Sequence, residues 1–156
     1  TVMFTQKKPY KLIVSGRIKH FISAFGEHVI ASEIEYAAQQ AQQSCGGIIK
    51  EFSVAPQVEP TSGELPYHEW LIEFEQVPKD FNAFAKKLDE VLREKNAYYD
   101  DLIKGKVLQP LKITRIPKNG FIDYMKQVGK LGGQNKLPRL TNDRKIADEL
   151  HRILLK

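Results

Sequence analysis

Among the residues able to do chemistry, Lys136 has the most particular setting. It lies in the run Gly-Lys-Leu-Gly-Gly-Gln-Asn-Lys-Leu-Pro-Arg-Leu at residues 129–140, which holds three glycines, one proline and three cationic side chains. Gly132 and Gly133 can adopt backbone angles closed to other residues, and Pro138 stiffens the exit and biases Leu137 toward an extended form. An ammonium on such a loop is a compact point charge that can follow an anion developing during a reaction, whereas a guanidinium demands a fixed planar partner. Phosphate or carboxylate is the natural target. The ordinary alternative is a solvated turn in a basic protein. A nucleotide-binding P-loop is excluded, because Gln134 stands where the second glycine is required and no Ser or Thr follows Lys136.

The other reactive side chains form no comparable pattern. The four histidines, His20, His28, His68 and His151, share no metal-binding spacing, and each is expected to be structural or exposed. Cys45 is the single cysteine, so no internal disulfide or structural zinc site is expected, and a reducing cytoplasm is. No Gly-x-Ser-x-Gly elbow is present. The formal charge of +5 arises from 24 basic and 19 acidic residues that are interspersed, which gives only weak grounds for a nucleic-acid partner. No apolar run approaches a membrane span, and no signal-peptide pattern opens the chain. Its 156 residues suit one core. The opening Thr-Val-Met-Phe, already alternating and without a methionine at position 1, is expected of a piece cut from a longer chain.

The elements that must position Lys136 follow from periodicity and turn chemistry. Two short strands are predicted within residues 1–14 around Gln6-Lys7-Lys8-Pro9, then a tight hairpin over 20–30 about Gly26. Ser32 and Glu35 form a capping-box pattern that starts a helix at Glu33, with Ile34, Ala37, Ala38 and Ala41 as its packed face and Gly46 or Gly47 as its left-handed end. Strands are predicted at 48–54 and 67–77, the second with Trp70, Ile72 and Phe74 on one face and Glu69, Glu73 and Glu75 on the other. A long helix starts at Asp80, a helical turn covers 98–103, and a strand containing Ile113 precedes Pro117. Phe121, Tyr124, Met125 and Val128 make a helical face before the lysine loop, and Asn142 can cap a final helix after it. This order implies an α+β domain with a mostly antiparallel sheet covered on one face by helices.

Two segments together carry a resemblance. Residues 15–35, Ser-Gly-Arg-Ile-Lys-His-Phe-Ile-Ser-Ala-Phe-Gly-Glu-His-Val-Ile-Ala-Ser-Glu-Ile-Glu, and the Lys136 loop about a hundred residues later resemble the small C-terminal domain of acyl-adenylating enzymes. The wording Gly-Gly-Gln-Asn-Lys-Leu-Pro-Arg, with Pro-Tyr-His-Glu-Trp at residues 66–70, is most similar to bacterial members of the auxin-responsive-promoter family, whose plant relatives are acyl-acid amido synthetases. The Asn-Gly-Lys wording common in the superfamily is absent here, and Lys136 is assigned from Gln-Asn-Lys-Leu-Pro-Arg instead.

The resemblance implies residues 1–19 as a strand pair and hinge segment and 20–156 as a mobile lid domain. A large N-terminal adenylation domain would be missing from this chain, and with it most of the contacts to ATP and magnesium. Lys136 would contact the carboxylate and α-phosphate oxygens during adenylate formation, Lys19 would be the hinge, Arg17 would lie near the ribose, and Gly26 would permit a tight loop that enters the site after domain rotation. The implied reaction forms acyl-AMP from an acyl acid and ATP, then passes the acyl group to an amine or amino acid. A coenzyme A ligase is the nearest variant. A non-catalytic α+β module binding RNA or a small ligand is the alternative from another class, disfavoured because Trp70 and Phe74 read as buried rather than as an RNA-stacking surface. No metal site on this chain, no nucleic acid and no membrane are expected.

Overall fold

The computed structural model describes residues 2–14, 21–132 and 135–154. Val2–Lys7 (β1) and Tyr10–Val14 (β2) pair antiparallel as a two-stranded sheet around the Lys8-Pro9 turn, as the turn residues predict. Phe21–Ile22 (β3) and Val29–Ile30 (β4) form the expected hairpin, with Gly26 at φ 93° in its turn. That angle is open to glycine and strained for other residues.

The central sheet has three strands, Ile48–Gln57 (β5), Tyr67–Gln76 (β6) and Lys112–Ile116 (β7), in the order β5-β6-β7. The β5-β6 pair is antiparallel, whereas β6 and β7 run parallel. A parallel neighbour needs a long crossover, and Phe81–Lys95 (α2) with Ala97–Lys104 (α3) supply it. Asp80 caps α2 as anticipated, its Oδ1 accepting from the Ala83 amide at 2.9 Å.

Helices cover both faces of this sheet, not one. Ala31–Cys45 (α1) and α2 lay Ile34, Ala37, Ala41, Phe84, Leu88 and Leu92 against Phe52, Val54, Trp70 and Ile72. On the reverse, Gly120–Gln127 (α4) and Lys145–Leu154 (α5) pack Phe121, Tyr124, Ala147 and Leu150 against Ala55, Leu71 and Ile116. Two of the three glutamates of β6, Glu69 and Glu73, therefore face protein and are buried, whereas Glu75 is exposed. They are tolerated there because each is partnered. Glu73 Oε1 accepts from Lys50 Nζ at 2.7 Å and from the Asn119 amide at 2.8 Å. Glu69 accepts from Arg144 Nη2 at 2.7 Å and from the Thr114 hydroxyl, and its Oε1 faces His151 Nε2 at 2.7 Å. These bonds fasten α5 to the sheet.

Two predicted caps are corrected. Helix α1 starts at Ala31, two residues before the predicted start, and its capping carboxylate is Glu33, which accepts from the Ile30 amide at 2.9 Å; Ser32 and Glu35 are exposed. Asn142 does not cap α5. Asp143 Oδ1 accepts from the Lys145 amide at 3.0 Å, while Asn142 reaches back to β3. Gly46 and Gly47 follow α1 at φ 72° and 86°, the positive angles expected of glycines at a left-handed end, with Gly46 extended at ψ −168°.

Candidate functional site

Lys136 is exposed on the connection between α4 and α5, and both ends of that connection are held. At the near end, Gly129 at φ 66° closes α4: its amide donates to Lys126 O at 3.0 Å, and the Lys130 amide donates to Met125 O at 2.8 Å. Helix ends of this type satisfy carbonyls that the helix leaves unpaired.

The far end joins the central sheet. Pro138 O accepts from Ser53 Oγ at 2.9 Å, Arg139 O accepts from the Val54 amide at 2.9 Å, and the Thr141 amide donates to Val54 O at 3.0 Å. Leu140 thereby forms a parallel bridge with Val54, beside the free edge of β5. The Arg139 guanidinium lies 4.3 Å from the Phe52 ring centre and bonds Glu51, so this cation is engaged in holding the loop. Between these anchors Gly132 takes φ 91°, as its place in the loop predicts. The tip presents Lys136 with no carboxylate partner among the described residues.

A cavity of about 340 Å³ opens beside Lys136. Its polar lining includes Lys130, Asn135, Lys136 and Lys145, and its apolar lining includes Tyr124, Leu137, Pro138 and Ile146. Asp143 is the single carboxylate among the lining residues. The arrangement suits a small anion with water access. Among the described residues no three of His, Cys, Asp or Glu are grouped so as to hold a metal ion, and no helix is long and apolar enough to cross a membrane.

Asn142 connects this loop to the Gly26 hairpin. Its Nδ2 donates to Phe21 O at 2.8 Å, and its Oδ1 accepts from the Ser23 amide at 2.9 Å. Beneath the turn, Glu27 is wholly buried: Oε2 accepts from the Phe25 amide at 2.8 Å and Oε1 faces His68 Nε2 at 2.8 Å. Burial pushes the Glu27 carboxyl up, but the hydrogen bond with His68 and the backbone amides outweigh it and hold the group below the usual carboxylate range. His68 stacks on Tyr99 with ring centres 5.0 Å apart, and Tyr99 OH donates to Asp89 at 2.8 Å. Burial, reinforced by Asp89, drives the Tyr99 hydroxyl well above its ordinary value.

Of the residues picked out from sequence, Lys136 and Gly26 are thus joined through Asn142, while Arg17 and Lys19 lie outside the described residues. Glu27, Lys130 and Lys145 have no role that the sequence predicts; His68, expected to be structural or exposed, is buried, and Asn142, expected as a helix cap, makes this tie instead. Period-two alternation puts His68 on the same face as Trp70. That face is internal, with Trp70 stacked on Phe52 at 5.4 Å, so neither ring offers a platform for bases.

The same arrangement of sheets and helices occurs in solved acyl acid amido synthetases. The structure matches "GH3.15 acyl acid amido synthetase" with a TM-score of 0.70 at 16% identity, over 92% of this chain and 27% of that one. It matches "AtGH3.15 acyl acid amido synthetase in complex with 2,4-DB" with a TM-score of 0.68 at 17% identity, over 92% of this chain and 26% of that one. The chain therefore spans about a quarter of the length of these structures. No curated protein matches the sequence. The model of the GH3 family C-terminal domain matches residues 32–145, and the chain belongs to that family.

Proposed function

We propose that this chain is the mobile C-terminal lid of an ATP-dependent ligase that makes an acyl-AMP and then transfers the acyl group to an amine, such as that of an amino acid, releasing AMP. The observation that carries the reading is Lys136, exposed beside a cationic cavity on a loop bonded at both ends. Its ammonium stabilises charge as the acyl carboxylate attacks the α-phosphorus. The domain then turns about Lys19, which withdraws Lys136 and brings the Gly26 turn to the reaction centre for acyl transfer. Arg17 lies near the ribose in this scheme. Most ATP contacts belong to a large N-terminal domain, as does the magnesium that accompanies ATP, since Asp143 is the single carboxylate lining the cavity here. No step runs through a metal held by this chain.

The test is Lys136→Ala in the full-length enzyme. Adenylate formation should slow about a hundred- to a thousandfold, the scale for losing one preorganised electrostatic contact. Turnover of supplied acyl-adenylate should persist, because that step begins after Lys136 has left. Lys136→Arg should rescue poorly, since a planar fork does not replace a point charge. Adenylate formation within about twofold of the parent for Lys136→Ala would refute the assignment.

A further inference from the structure

The cavity beside Lys136 holds two more lysines for which the reaction scheme has so far no use. Lys130 follows the end of α4, and Lys145 is the first residue of α5, so different elements bring them to one cavity. The nearby cations that serve the fold are already engaged: Arg139 with Glu51 and Arg144 with Glu69. Lys130, like Lys136, has no carboxylate partner among the described residues. Lys145 Nζ is 3.9 Å from Asp143 Oδ2, a long contact, and the side chain is 87% exposed. Exposed pairs at such distances contribute little and exchange readily for another anion. Three ammonium groups face one carboxylate, so the cavity is left with an excess of positive charge. The first turn of α5 contributes Lys145 and Ile146 to the wall, which sets the positive end of that helix dipole at the same place.

We infer that Lys130 and Lys145 form a subsite for the pyrophosphate leaving group. The inference rests on the acyl-adenylating reading of Lys136. In that step a carboxylate oxygen bonds to the α-phosphorus, the bond from the α-phosphorus to the oxygen bridging to the β-phosphorus breaks, and its electron pair departs on pyrophosphate. Negative charge therefore grows on the side of the α-phosphate away from the acyl group. Lys136 serves the acyl carboxylate and the α-phosphate, and the two lysines that share its cavity take the charge leaving on the other side. Compact, mobile ammonium groups suit a polyanion that must be released, where a bidentate arginine clamp would retain it. The cavity, about 340 Å³, is of the size used for small ligands.

The direct test is calorimetric titration of this chain with inorganic pyrophosphate and, separately, inorganic phosphate, at low and moderate salt. Pyrophosphate should bind saturably, at least tenfold tighter than phosphate, and weaken as salt rises. Lys130→Met and Lys145→Met should each weaken it three- to tenfold, and the double variant should abolish it, with circular dichroism confirming the fold. Equal affinity for the two anions, or an unchanged affinity in the double variant, overturns the inference.

A second arm separates this failure from failure of the parent reading. In the full-length enzyme running backwards, from acyl-adenylate and pyrophosphate to ATP, either Met variant should raise the KM for pyrophosphate at least fivefold, more than it lowers kcat. An unchanged KM, together with the expected loss in Lys136→Ala, defeats the subsite and leaves the adenylation reading intact. An inert Lys136→Ala defeats both.

Discussion

A buried carboxylate must be held by hydrogen bonds, and Glu27 shows what that does at the scale of one residue. Its ties to His68 and the Phe25 amide depress its acidity, and Glu69 is depressed likewise: burial raises it, but the Thr114 and Arg144 bonds and the nearby His151 outweigh that. A group whose folded value lies below its unfolded one stabilises the fold above the unfolded value, near 4.5, and loses that contribution as pH falls through the folded value. Thermal stability is therefore expected to hold between about pH 7 and 5 and to fall below about pH 4.5. Glu27→Gln, which keeps the shape without the charge, should make that acid limb shallower, leaving the share due to Glu69. Glu27→Ala, which abandons His68, should cost about 3 kcal/mol at pH 7. Thermal melts across pH check both, and identical profiles for Glu27→Gln and the parent would count against the pair. Sequence showed Gly26 as a turn but not the carboxylate under it. Charge one residue after a glycine reads as solvent-facing, and its partner lies 41 residues away.

At the scale of elements, long-range side-chain ties decide what the strands and helices hold. Asn142 precedes the last helix in the place of a cap, and its type suits that role. The neighbouring Asp143 takes the cap, which frees Asn142 to join β3, 121 residues back in the chain. No local pattern contains such a partner. Asn142→Ala should lower stability by about 1–2 kcal/mol, the worth of two hydrogen bonds. Urea unfolding measures the loss, and amide exchange at Ser23 should quicken while exchange in α2 does not. Loss of protection spread over the whole sheet would mean that Asn142 is not a local tie. The boundaries of α2 and α3 were by contrast legible, because Asp80 caps the first and Gly105 ends the second.

For the whole molecule, the order of elements and the α+β class were readable from periodicity, but the number of covered faces was not. A strand reading Glu69, Glu73 and Glu75 on one side suggests water there, which holds for Glu75, but the arrival of Lys50, Asn119, Arg144 and His151 from distant elements makes the stretch of Glu69 and Glu73 internal. With both faces packed, the chain should unfold cooperatively on its own. It should nevertheless show no pyrophosphate exchange above a no-enzyme control with any acid tested, because one lysine loop lacks an acyl pocket. Exchange above that control would show that no further domain is needed.

The bonds from Pro138, Arg139 and Thr141 to β5 have a kinematic consequence. Lys136 stands two residues from the first of them, a tether of about 7 Å even when fully extended. While the bonds last, its backbone stays within about that distance of Pro138 and so beside the sheet. A displacement of the ammonium beyond what this tether and its own four-carbon stem can span must carry Ser53, Val54 and the helices packed on both faces along with it, so a long stroke of Lys136 is a stroke of the entire body and never the flicking of a loop.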